Sequence, residues 1–197
     1  RFDVSKPDEK KELDQYNEAL NPISSVLYML DNAEMEDKLL EHIKINKVSK
    51  DEYLGQIMML FWKVCNSYTN WQEIQPSLLN DYAYLNYYFK NYFQGIIFSM
   101  KALQLEEHSS YYDTIGEGYE KLNQWDLSFE WYQKAYNFEL KANDFSFSHV
   151  CNYTRSAIKI NKLTEASDGI NTLLKKFPNE DYSAILKDYE ALAKGKD

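Results

Sequence analysis

The sequence predicts an all-α chain built as an array of short antiparallel helical hairpins. Three observations predict it. Apolar residues recur at spacings of three and four along every long segment, and no stretch alternates apolar and polar residues for the length of a strand. Only six Gly and four Pro punctuate the 197 residues, too few for a turn-rich β-sandwich or a disordered chain. A pattern of small and large residues also returns at a fixed interval, with Ala102 and Ala135 standing 33 positions apart, in the range of the helical-repeat architectures.

Composition narrows the class of protein. The chain is long enough to bury a substantial core without disulfide or metal staples. Its formal net charge is −9, from 22 Lys plus Arg against 31 Asp plus Glu. That balance argues against direct nucleic-acid binding and against docking on anionic membranes, both of which use basic surface. No run approaches the 18 or so consecutive apolar residues that a membrane span requires, and the two cysteines, Cys65 and Cys151, form no disulfide framework. A cytoplasmic location is expected, with an already removed leader left open because the first residue is Arg1 rather than Met.

Taken in order, residues 1–75 read as an N-terminal helical segment packed on the array that follows, with three or four helices between positions 7 and 70. Within it, Ile23 to Ile45 alternates apolar and charged residues at helical spacing. Ser49-Lys50-Asp51-Glu52 has the form of a capping box opening the apolar run Tyr53 to Cys65, and Asn66-Ser67 with Thr69-Asn70 ends that helix. Residues 76–197 form the array proper, continuous as a single α-solenoid. Its first hairpin has a helix from Pro76 to Phe89, where Pro at the first turn is favourable, and a second helix within Lys90 to Glu106.

The clearest hairpin spans Ser109 to Leu140. Small residues (Gly116, Ser128, Ala135) let its two helices approach and large ones (Ile115, Tyr119, Tyr132) fill between them, while Asn123-Gln124 takes the turn. A third runs from Phe147 to Pro178, with Ala157, Asn161, Leu163, Ala166, Ile170 and Leu173 at matching positions. Leu173 lies 38 residues beyond Ala135, so roughly four residues are added around Lys141 to Phe147, with Asn143-Asp144 the natural place for a longer turn. Asp181 to Lys194 is amphipathic through Ile185, Tyr189 and Leu192, with Gly195 just past its end, and reads as the solvating cap of an open-ended array.

Ile115-Gly116, Tyr119, Ser128, Tyr132 and Ala135 resemble the tetratricopeptide repeat, whose pattern runs Trp-x2-Leu-Gly-x2-Tyr, then Gly-x-Tyr-x2-Ala-x3-Phe-x2-Ala, then Pro. Tyr112 stands in place of the Trp, Asn123 in place of the turn Gly, and the closing Pro is missing from this copy. The first copy, with Ala83, Tyr92, Gly95 and Ala102, and the third, closed by Pro178, are more degenerate. The resemblance covers Pro76 to Pro178 and implies a right-handed α-α superhelix.

It also implies a binding surface, because the first helix of each hairpin lines the concave face of such a superhelix. The lining positions here hold Ser77, Asn80, Asp81, Tyr84, Tyr87 and Tyr88, then Ser110, Asp113, Thr114, Glu117, Glu120 and Lys121, then Ser148, Cys151, Asn152, Arg155, Ile158 and Lys159. Among them Asn80, Tyr84, Tyr88, Asp113, Glu117, Glu120, Asn152 and Arg155 are the candidate partner-binding residues. Asp113, Glu117 and Glu120 share one side of one helix at i, i+4 and i+7; unpaired, they favour a partner segment carrying Lys or Arg and repel a terminal carboxylate. Aromatic density supports a contact role nearby. Eight of the seventeen residues from Tyr82 to Phe98 are Tyr or Phe, more rings than one hairpin layer can enclose, and exposed Tyr is a frequent anchor for partners.

Catalytic and metal readings find little. His42, His108 and His149 have no shared helix-face spacing, and His149 and Cys151, two apart, point to different sides of a helix; packing or surface roles are the plainer reading. Gly116-Glu117-Gly118 lies inside a helical pattern with no preceding strand, which removes the context of a phosphate loop. Asn152-Tyr153-Thr154 is a formal glycosylation sequon on a predicted helix, and is read as silent. The expectation is therefore a non-enzymatic protein- or peptide-binding module with no cofactor and no metal. A peptide-sensing domain of a bacterial regulator and an acidic immunity or inhibitor protein masking a basic partner remain open as alternatives.

Overall fold

The computed structural model describes residues 74–194 continuously, together with Ser49, residues 51–52, 54–56 and 58–59, and residue 72. The helices expected between positions 7 and 45, the end of the helix at 66–70 and Gly195 lie outside the described residues. Among those described, every regular element is helical. Besides the helical residues 51–52, 54–56 and 58–59, they are α1 (Pro76–Tyr88), α2 (Tyr92–Leu105), α3 (Ser109–Lys121), α4 (Trp125–Ala142), α5 (Phe147–Lys159), α6 (Leu163–Lys176) and α7 (Ser183–Lys194). The chain groups into two compact units, residues 1–105 and 106–197, and each is taken by itself.

Three hairpins, α1–α2, α3–α4 and α5–α6, share one local design. Each opens with a helix of 13 residues and closes it with a residue in the left-handed region: Lys90 (φ 62°), Asn123 (φ 58°) and Asn161 (φ 60°). The amide of that residue donates to the carbonyl of Tyr87, Glu120 or Ile158, and the next amide donates to that of Asn86, Tyr119 or Ala157, at 2.8–3.0 Å. This is the Schellman pairing, which satisfies the last carbonyls of a helix and reverses the chain within three residues. Counted from the turn, matching positions are buried in all three hairpins: Tyr82, Ile115 and Tyr153 on the first helix, Ala102, Ala135 and Leu173 on the second.

Close approach fixes which residues are small. A Cβ on Gly116 would lie 2.6 Å from Cδ1 of Tyr132, and one on Gly95 would lie 2.9 Å from the Ala83 carbonyl oxygen. In the third hairpin the first helix carries the bulkier Thr154, and the second answers with Gly169, whose Cβ would run into the Thr154 side chain. The pair keeps its contact distance by moving the small residue across the interface.

The four residues added after the second hairpin do not form a longer loop. They lengthen α4 to 18 residues, against 14 for α2 and α6, and Asn143 (φ 55°) ends the helix in the left-handed region. Lys141 and Ala142 are good helix formers, so the helix runs on to the first residue that readily leaves it.

In the first unit, Leu54 and Ile74 are buried with the α1–α2 hairpin residues. The Ser49 hydroxyl accepts from the Glu52 amide at 3.2 Å, the forward half of the expected capping box. The aromatic tract divides as its density required. Tyr82 and Tyr87 are buried, with Tyr82 edge-on to Phe98 at 4.5 Å, whereas Phe93 is 66% exposed. In the second unit a core joins α4, α5, α6 and α7 around Phe129, Tyr136, Tyr153, Ile170, Leu173 and Ile185. Tyr153 stacks on Tyr136 at 4.3 Å and on Phe129 at 5.7 Å. Ile185 anchors α7, and Leu186 and Tyr189 pack beside it.

Candidate functional site

The second unit places two features side by side on α5, a cleft and a buried polar cluster. The cleft has a volume of about 320 Å³ and lies between α5 and the start of α7. Phe147, Ser148, Cys151 and Arg155 form one wall, and residues 181–185 form the other. The 3.6-residue period brings Ser148, Cys151 and Arg155 to one stripe of α5; all three are inner-face positions in the repeat assignment. Tyr182 and Ile185 supply apolar surface opposite. Asp181 accepts from the Ser183 amide at 3.0 Å, which holds its carboxyl below the ordinary carboxylate value. Burial pushes the Cys151 thiol up to about 11, so it stays protonated at neutral pH and is a poor nucleophile.

Directly behind this wall, α3, α4 and α5 meet at three ionisable side chains. Asp113 and Glu139 are each 4% exposed and His149 is 8% exposed. His149 Nδ1 lies 2.5 Å from Glu139 Oε1, and Nε2 lies 3.9 Å from Asp113 Oδ2. The second Glu139 oxygen accepts from the Ser146 amide at 3.2 Å, tying the α4–α5 connection to the same carboxylate. Asn152 donates to both Asp113 oxygens at 3.1 and 3.2 Å, and its own oxygen accepts from Arg155 Nη2 at 2.7 Å. A continuous polar path thus runs from Glu139 through His149, Asp113 and Asn152 to Arg155 at the cleft.

Electrostatics follow from burial and pairing. Burial raises the carboxyl of Asp113, and the facing His149 and the Asn152 amide oppose that rise. For His149, burial favours the neutral form, but the Glu139 hydrogen bond and the charges of Asp113 and Glu139 outweigh it, and the imidazole sits above its ordinary value. Two carboxylates facing one imidazole stabilise the imidazolium, and this is the direction we adopt for the cluster.

The candidate residues drawn from the sequence fare unequally. Asn80 is 5% exposed and accepts from the Ser99 hydroxyl at 3.0 Å, so it belongs to the α1–α2 interface. Tyr84 is half-buried with its ring edge toward Tyr87, and Tyr88 is 37% exposed with its hydroxyl donating to Asp51 at 2.8 Å. The three acids of α3 are not the unpaired row that their spacing suggested. Asp113 is buried against Asn152 and His149, Glu120 accepts from the Tyr132 hydroxyl at 2.7 Å, and Glu117 lies 3.5 Å from Lys121 Nζ. The periodicity placed them on one side of the helix, but packing of α4 and α5 turned two of the three into internal acceptors. Asn152 and Arg155 do come together, beside the cleft. The sequon at Asn152 sits mid-helix with its amide engaged by Asp113 and Arg155.

Glu139 has no place in the sequence reading, and His149, given there a packing or surface role, is buried between two carboxylates. One signal was available: counted from the turn, His149 occupies the position held by Leu78 and Tyr111 in the other hairpins, both buried. A histidine in a slot that the repeat buries needs polar partners. Among the described residues no group of three His, Cys, Asp or Glu side chains is arranged to hold a metal ion, and no helix is long and apolar enough to cross a membrane. No protein-family model matches this chain, and no curated protein matches it.

Proposed function

We propose that the chain is a non-enzymatic helical-repeat module of the tetratricopeptide kind, wound as a right-handed superhelix, that binds a protein or peptide along its inner face. The observation that carries this reading is the coincidence of the cleft with that face: Ser148, Cys151 and Arg155, assigned to it from the repeat pattern, line the cleft beside α7. Recurrence of one hairpin design three times, with the same turn and buried positions, supports the repeat assignment. The basic partner suggested by the α3 acids loses its support, because those acids are engaged within the protein. Arg155 is instead the exposed charge on the α5 wall, which also carries Phe147 at its start, with Tyr182 on the opposite wall. A partner segment with an aromatic or aliphatic side chain next to Asp or Glu fits that combination.

Selection from a displayed library of short linear peptides tests it. Binders recovered on the wild-type protein are expected to share an acidic residue beside an apolar one and to lose affinity for Arg155→Glu. Binders that hold equally well to Arg155→Glu would refute this placement of the site.

A further inference from the structure

We propose that His149, held between Glu139 and Asp113, is a pH-sensitive latch that positions Arg155 on the inner face through Asn152. The inference concerns regulation of the binding face and rests on the reading given under Proposed function. Its basis is the order of contacts. Glu139 comes from α4, Asp113 from α3, and His149, Asn152 and Arg155 from α5, so one proton sits where three helices meet.

The protonated imidazole donates from Nδ1 to Glu139 and turns its Nε2–H and positive charge toward Asp113, 3.9 Å away and beyond hydrogen-bond reach. On deprotonation one donor is lost. The Nδ1–H stays with Glu139, the shorter contact at 2.5 Å, and Nε2 becomes an acceptor facing Asp113 at 3.9 Å. Asp113, 4% exposed, is then a buried carboxylate held by the Asn152 amide without a facing positive charge, a costly arrangement. A shift of Asp113 or Asn152 toward solvent relieves it, and Asn152 carries the oxygen that orients the Arg155 guanidinium.

Other charges nearby act elsewhere. On α3, Glu120 reaches Tyr132 and adds to the negative potential at Asp113. On α6, Asp168 acts on Tyr136 and Tyr153. Ahead of α7, Glu180 acts on Cys151, as does Arg155 from α5 itself. The groups facing His149 are therefore Asp113 and Glu139.

The test needs no ligand, so its failure is separable from failure of the peptide-binding reading. The imidazole signals of His149, assigned by their loss in His149→Gln, and the Nε–Hε signal of Arg155 are followed by nuclear magnetic resonance from pH 5 to 9. His149 is expected to titrate above 6.5, the ordinary value, and Asp113→Asn is expected to lower its midpoint. The Arg155 signal should move with the same midpoint in the wild type, and in Asn152→Ala it should stop following while His149 still titrates. An Arg155 signal that stays flat through the His149 transition in the wild type would overturn the latch. So would a His149 midpoint at or below 6.5.

Discussion

Replacing Gly116 with Ala isolates the contact on which the central hairpin depends. The added Cβ would stand 2.6, 2.8 and 3.0 Å from Cδ1, Cε1 and Cγ of Tyr132, the first two closer than real Cβ atoms come to a neighbour and the third at that limit. The ring has little room to give way: Tyr132 is 1% exposed, and its hydroxyl is tied to Glu120 at 2.7 Å. Two effects compete. Ala is better than Gly within a helix by about 1 kcal/mol, whereas overpacking a close contact costs about 1–3 kcal/mol. With the ring fixed at both ends the steric term belongs in the upper half of its range, leaving a net loss of about 1–2 kcal/mol. Gly55 supplies the control, since it is helical and, among the described residues, a Cβ there meets nothing within 4 Å. Gly55→Ala should therefore gain up to about 1 kcal/mol. Equilibrium urea unfolding reads both, as midpoint shifts of opposite sign at unchanged slope. A Gly116→Ala protein at least as stable as the wild type would refute the packing described for α3 and α4.

Three further outcomes follow from individual residues. Ser128 is fully buried and its hydroxyl has no hydrogen-bond partner among the described residues, so Ser128→Ala should stabilise by about 1 kcal/mol, read by the same urea titration. Lys90 holds φ 62° with an exposed side chain; Lys90→Gly removes a left-handed penalty of about 1–2 kcal/mol against an unfolded-state cost of about 0.4–1 kcal/mol, for a net gain measurable as a raised melting temperature. The raised imidazole of His149 contributes stability that is complete below the ordinary value of 6.5 and is lost as pH rises through the folded-state value. Asp113, also raised, acts in the same direction. Melting temperature should thus fall on the alkaline side, and less steeply in Asp113→Asn, as differential scanning calorimetry across that range would report.

Local chemistry made the hairpins readable. Asn123 and Asn161 are residues that tolerate the left-handed turn, and Gly116 and Ala135 stand where helices touch, so their types announce their places. Lys90 does the same job without any such signal, since lysine has no preference for that conformation; only its distance of 33 positions from Asn123 betrays it. The extended α4 was misread because Asn143-Asp144 is a turn signal wherever the preceding helix stops, and nothing in Lys141-Ala142 fixes that point. At the site, periodicity could name Asp113 and Asn152 as neighbours on an inner face but not say whether they met water or each other. That outcome depends on His149, which faces Asp113, and on Glu139, which holds His149 from the last turn of the lengthened α4.

The central claim, that the inner face of α5 and the start of α7 receive the partner, is tested most directly by mapping backbone amide shifts of the labelled protein. The probe is a peptide selected on the wild type, added to saturation. The account predicts that the largest changes fall on Ser148, Cys151, Asn152 and Arg155 and on residues 181–185. Changes centred instead on Leu140 and Leu174, which are 54% and 52% exposed and line no part of the cleft, with the cleft residues unmoved, would contradict it.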